Sequence, residues 1–177
     1  MKYLVGTGSI ILFFILIASS FHKLQEIPFG GKADVKFAND LWQAVKGYES
    51  WMTRSNFYEG HSPHGKILRN YFSIVKVDGK NYPVIIKDNF GGEGASLTSV
   101  SENSAKYLVA VTIMVKRSDG YDTDNQNWFW VKYKQDGTID KNNKGILLAG
   151  RVAKGMDTGC INCHAKAKGD DYYYNND

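Results

Sequence analysis

Apolar residues recur along this chain with two different periods. Phe37, Leu41, Val45 and Tyr48 are spaced four, four and three apart, drawing one apolar stripe down a helix of about four turns that starts near Val35. Gly47 weakens its last turn and Arg54-Ser55-Asn56 ends it. A loop from Tyr58 to Gly65 follows, holding His61, Pro63 and His64. Beyond it the period shortens toward two. Lys66 to Val77 is rich in Ile, Val, Tyr and Phe, Asp78-Gly79 is a hairpin signal, and Tyr82 to Phe90 is the returning strand. Gly91 to Gly94 is a loop, because it neither joins a strand to a helix nor keeps a phosphate-cradling spacing. Lys106 to Lys116 is apolar on both faces, as a central strand covered on two sides should be. A polar loop, Ser118 to Gln126, leads to a strand over Trp128 to Lys134, and Asp136-Gly137 turns the chain into a last extended piece around Ile146 to Val152. Gly155 to Gly159 hands over to a cysteine-containing segment and a short helix, Ala165 to Lys168, before an acidic, tyrosine-rich tail. The pattern predicts an α+β domain with a dominant antiparallel sheet of about five strands, an N-terminal helix and a C-terminal helical turn.

The N-terminus has a different grammar. Lys2 precedes an unbroken apolar stretch from Ile10 to Ala18, and Ala18 and Ser20 supply the small residues of a cleavage site, so residues 1–20 read as a secretory leader. The run is shorter than the roughly 20 apolar residues that cross a bilayer, with a retained anchor as the alternative. Residues 21–34, with Pro28, Gly30 and Gly31, read as a tether, leaving 35–177 as one domain. Lys and Arg total 22 against 18 Asp and Glu, with no long run of like charge. A nucleic-acid partner is therefore not expected.

The candidate chemistry is Cys160-Ile161-Asn162-Cys163-His164. Two thiols three residues apart on the first turn of a helix share a face, where each can add to a vinyl group of a heme, and the next residue falls under the iron as its proximal ligand. Cys160 and Cys163 are the only cysteines. A zinc site would want four ligands, and a redox dithiol would want an early strand leading into the helix that carries it. The motif predicts one heme c per chain. With the leader, it places the protein in the periplasm or another extracytoplasmic space. The aromatic content of 14% fits an ordinary core and also the flat apolar enclosure a porphyrin needs.

The position of the motif bears on the iron's other face. No Met follows His164, Met156 is tethered too close to it to reach round, and Met114 lies in an apolar strand. The iron is expected to be five-coordinate with a free distal face, with His61 or His64 as possible sixth ligands. An open face suits binding or oxidising a small molecule better than electron relay.

Several segments carry a resemblance. Ser62-Pro63-His64-Gly65, Val84-Ile85-Ile86-Lys87, Thr112-Ile113-Met114-Val115, Gly120-Tyr121-Asp122, Trp128-Phe129-Trp130, and Gly159-Cys160 to His164 with Asp171-Tyr172 resemble the cytochrome P-460 family. The resemblance implies a β-rich monoheme c-type cytochrome, usually homodimeric. It implies oxidation of hydroxylamine or a related small nitrogen species, with electrons passed to a redox partner cytochrome. The relatives called cytochromes c′-beta imply the alternative of nitric oxide binding. Lys87 looks like the family's lysine that bonds to the porphyrin edge; its stem shares a strand face with Pro83 and Ile85, and a snorkelling lysine is the plainer reading. Arg69 looks similar to a distal-pocket arginine, with a solvent-facing arginine as the alternative. Phe72, Phe129 and Trp130 are candidates for a distal cap or for core packing.

Overall fold

A computed structural model describes residues 27–169 and 171–174; the predicted leader lies outside them. The fold is α+β, built on an antiparallel sheet of six strands in the order β1-β2-β3-β4-β5-β6. The strands are β1 (Tyr58–Glu59), β2 (Ile67–Val77), β3 (Lys80–Phe90), β4 (Leu108–Lys116), β5 (Trp128–Lys134) and β6 (Ala149–Gly150). Each pairs with the next in sequence. Such a meander follows when short turns join consecutive strands.

Alternation along each strand separates two faces. Tyr71, Val75, Tyr82, Val84, Ile86, Val111, Ile113, Val115, Phe129, Val131 and Tyr133 pack with Phe37, Ala38, Leu41, Val45 and Tyr48 beneath helix α1 (Lys32–Ala44). Ile85, Met114, Trp128 and Trp130 point to the other face, where Phe29, Val152, Ala153 and Ile161 cover them. Tyr133 is fully buried and its hydroxyl donates to the Ala38 carbonyl at 2.6 Å, fixing α1 to β5. Tyr133→Phe is expected to cost about 1 kcal/mol of stability with the fold retained, measured by urea unfolding.

The structure moves several expected boundaries. Helix α1 starts at Lys32 and stops at Ala44, followed by a separate 3-10 turn, Tyr48–Ser50. Gly47 between them sits at φ 78°, a left-handed backbone that breaks the helix while Val45 and Tyr48 still reach the core. The expected tether is shortened to match, since Phe29 is buried and bridges to Gly150. Strand β1 lies inside the expected loop; two residues are too few to show alternation. Helices α2 (Leu97–Glu102) and α3 (Ser104–Tyr107) were not expected, so the central strand begins at Leu108 rather than Lys106. Ser96 and Ser99 cap α2 reciprocally, a serine pair standing in for the usual Ser-to-Glu box. The C-terminal helix α4 is Cys160–His164 itself, and residues 165–169 are turns and bends rather than a helix.

Candidate functional site

Helix α4 is short and is held from its N-terminal side. Gly159 precedes it at φ 128°, and a Cβ there would collide with the side chain of Ala153, so only glycine brings the chain this close. Ile161 turns inward onto Val152, Ala153 and the two tryptophans, which leaves Cys160 half-buried and Cys163 exposed on the same turn. Both cysteines are free thiols. Burial pushes the Cys160 thiol up to about 11, far from the low values that make a redox dithiol reactive. Among the described residues no group of three or more His, Cys, Asp or Glu side chains is gathered as a metal cage would need.

His164 is 7% exposed, and its Nδ1 donates to the Tyr172 carbonyl at 2.7 Å. Tyr172 sits at φ 61°, an uncommon backbone for an aromatic residue. That bond fixes the tautomer and leaves Nε2 as a bare lone pair, the arrangement typical of a histidine that ligates a metal. The Trp130 ring packs against the imidazole at 4.7 Å between centres, and Tyr174 flanks it at 5.5 Å. Burial holds His164 down at about 4, so the ring is neutral at physiological pH and its lone pair is available.

A cavity of about 890 Å³ opens in front of this imidazole. Its floor is the α4-bearing face of the sheet, with Ile85, Lys87, Thr112, Met114 and Trp130, and its rim carries Cys160, Cys163 and His164. The volume lies within the range of roughly 300–1,000 Å³ usual for cofactor sites. The buried indole N–H of Trp130, which lines the cavity, has no hydrogen-bond partner among the described residues. A buried donor left this way costs about 1–3 kcal/mol, and the carboxylates of a porphyrin are acceptors of the right kind. Size, thiols, imidazole and the unpartnered Trp130 donor all fit a heme.

The structure sorts the other predicted residues. Lys87 lines the cavity, half-buried, close enough to feel Cys163 and His164 electrostatically. Burial lowers its pKa, and no carboxylate among the described residues pairs with it. Arg69 does not join it. The register sets Arg69 opposite Asp88, on the α1 face of the sheet. There its guanidinium lies 4.1 Å from the Phe57 ring centre and its Nε donates to the Ser55 carbonyl at 3.1 Å. A distal role for Arg69 is corrected by this placement, since the sheet separates it from His164. Phe129 is likewise in the α1-side core, Trp130 flanks His164 itself, and Phe72 packs on Tyr173 at 5.6 Å. Phe129 thus takes the core-packing alternative, while Phe72 stands opposite Ile85 on the cavity face of the sheet.

One residue of the site, Asn89, lies beyond what the pattern showed. Asn89, 3% exposed, accepts from the His64 Nδ1 at 2.9 Å and from the Gly65 amide at 3.2 Å. Its sequence signal was available, because it shares the strand face of Lys87 two residues on. His64 lines the cavity with its ring centre 6.1 Å from that of His164, whereas His61 is exposed and outside the wall. His64 is held down at about 4, mainly by burial and secondly by the nearby Lys87 charge.

A porphyrin-sized cavity rimmed by two thiols and a metal-ready imidazole, on a β-meander, defines a heme protein of the c-type cytochrome class. The chain matches the family model Cytochrome P-460 over residues 45–175, well over half its length, and it belongs to that family. Membership carries a heme cofactor and iron binding. The match covers every strand of the sheet and the whole of α4. No curated protein and no solved structure matches the chain significantly.

Proposed function

We propose that the protein is an exported oxidoreductase with one heme c per chain, which oxidises hydroxylamine or a related small nitrogen species and passes the electrons to a partner cytochrome. Cys160 and Cys163 hold the porphyrin by thioether bonds, and His164 ligates the iron through Nε2. The heme, when bound, supplies a redox iron that takes electrons from a small ligand. Tyr172 keeps the imidazole oriented and basic through its carbonyl. The cavity floor of Ile85, Met114 and Trp130 keeps water from the reacting face.

Lys87 is the observation that carries the enzyme reading over simple ligand binding. It stands on the cavity floor beside α4, away from any carboxylate among the described residues, and burial favours its neutral amine. A free amine lone pair beside the porphyrin edge is the nucleophile of a lysine-to-heme bond, whose formation replaces a ring C–H by C–N and passes two electrons and two protons to an oxidant such as a peroxide. Export is supported by the leader-like residues 1–20, and a homodimer by the family resemblance.

The expected result is a ferrous Soret band far to the red of ordinary c-type heme, returned to the ordinary position by Lys87→Met. Mass spectrometry of a digest is expected to find the Lys87 peptide joined to the heme peptide. An ordinary wild-type spectrum with a free Lys87 peptide turns the reading to a nitric oxide binding protein that uses the same thiols and imidazole.

A further inference from the structure

We infer that Tyr172, Tyr173 and Tyr174 form a strap that sets the reduction potential of the heme iron, Tyr173 and Tyr174 acting as positioning residues that hold the Tyr172 carbonyl against His164. The inference rests on the heme reading above but not on the Lys87 bond.

Three consecutive tyrosines are tied to three different parts of the site. The Tyr172 carbonyl accepts from His164 Nδ1 at 2.7 Å, and the Tyr172 hydroxyl lies 3.4 Å from Asn125 Oδ1. The Tyr173 hydroxyl accepts from Asn70 Nδ2 at 2.9 Å, and its ring meets Phe72 edge-on at 5.6 Å. The Tyr174 hydroxyl donates to the Cys163 carbonyl at 2.9 Å, and its ring stands 5.5 Å from the imidazole. The tail therefore joins α4 to β2 within two residues of the carbonyl that His164 uses.

The sheet is built to receive it. Asn70 is 1% exposed, set between Leu68 and Phe72 on one face of β2 and opposite Lys87. A buried amide is costly unless its donors find acceptors, and the tail's hydroxyl is one. The backbone of the strap has the same dependence on its anchors. Tyr172 sits at φ 61°, a conformation that an aromatic residue keeps where its surroundings over-determine it. Asp171 Oδ1 accepts from the Tyr173 amide at 3.2 Å, bending the chain at that point. The bend aims the Tyr172 carbonyl back at the imidazole.

The bond reaches the iron through His164. An imidazole whose Nδ1–H is held by a carbonyl carries more negative charge on Nε2, and the more basic ligand favours ferric over ferrous iron. A slack strap weakens that bond, so the imidazole donates less and the potential rises. Outer-shell partners of metal ligands are worth roughly 10–100-fold. A tenfold change in the preference for ferric iron is about 59 mV for one electron.

The test is the midpoint potential of the heme-loaded protein, together with the iron–histidine stretching band of its ferrous form by resonance Raman. Tyr173→Phe combined with Tyr174→Phe keeps every ring and removes two hydroxyls. It is expected to raise the potential by about 59 mV, the tenfold change, and to move the band to lower wavenumber. Tyr173→Phe and Asn70→Ala, which remove the same anchor, are each expected to give a smaller shift in the same direction. Tyr133→Phe loses a buried hydroxyl bond on the α1 side of the sheet, and is expected to lower stability while leaving both readouts in place. A heme-loaded double variant with unmoved potential and band overturns the assignment and leaves the heme reading intact, as does a Tyr133→Phe shift of equal size. A colourless wild type overturns both. Where the double variant folds poorly, an unmoved potential in Tyr173→Phe and Asn70→Ala overturns the assignment by itself.

Discussion

Cys160→Ser combined with Cys163→Ser and Lys87→Met is expected to abolish covalent heme, whereas either cysteine change alone leaves one thioether and a coloured product. The two sulfurs occupy one turn of α4, Cys160 packed against the apolar cluster and Cys163 toward solvent. No other cysteine exists to replace them. Without thioether bonds a porphyrin is held only by the cavity and His164. It should then leave on denaturation, whereas a thioether-bound heme stays with the unfolded chain. Intact mass after denaturation reads this directly, and a heme stain on a denaturing gel confirms it. His164→Ala separates attachment from ligation: heme mass is retained while the iron's spectrum changes, because the thioethers do not involve the imidazole. Covalent heme persisting in the triple variant would place the attachment on some other residue and remove the thiols from the site.

The attachment motif was legible because its geometry is local. Residues 160–164 need only one helical turn to bring two thiols and an imidazole together. The sheet was legible for a related reason, alternation and turn signals being properties of neighbouring residues. Arg69 shows where likeness fails and register succeeds. The turn at Asp78-Gly79 pairs Val77 with Lys80, and counting back from it sets Arg69 opposite Asp88 and Asn70 opposite Lys87. Arg69 and Lys87 therefore lie on opposite faces, a conclusion the hairpin already contained. The place of His64 was not readable in that way. It depends on Asn89, 25 residues away in the chain, and on three acceptors from two strands that orient the Asn89 amide. Helices α2 and α3 escaped notice because their few turns bury little; Val100 is the one fully buried side chain of α2.

Between pH 4 and about 6.5 the protein is expected to lose about 2 kcal/mol of stability through Asp88 alone, a loss that Asp88→Asn abolishes. Asp88 is 3% exposed under α1, with Tyr48 Oη donating to one carboxyl oxygen at 2.5 Å and Tyr71 Oη to the other at 3.2 Å. Burial pushes its pKa up from 3.8 to about 6, and the two tyrosines and Arg69 pull it only partly back. Over that interval the folded chain keeps a proton that the unfolded chain has already released. The native state thus binds more protons, and stability falls as pH rises. His64 and His164 act with the opposite sign, because histidines held down at about 4 weaken the fold as pH falls. The difference between wild type and Asp88→Asn, from urea unfolding of the heme-loaded proteins at pH 4 and pH 7, isolates the carboxyl from them. The asparagine can still accept from one tyrosine while its NH₂ donates to the other hydroxyl, so the variant is expected to gain on wild type at pH 7 and not at pH 4. Tyr48→Phe removes a donor to a buried charge and is expected to cost about 1.5–3 kcal/mol at pH 7, less at pH 4 where Asp88 is neutral. Parallel pH curves for wild type and Asp88→Asn would mean that the carboxyl is ionised as freely inside the fold as outside it, and that the tyrosine pair compensates its burial in full.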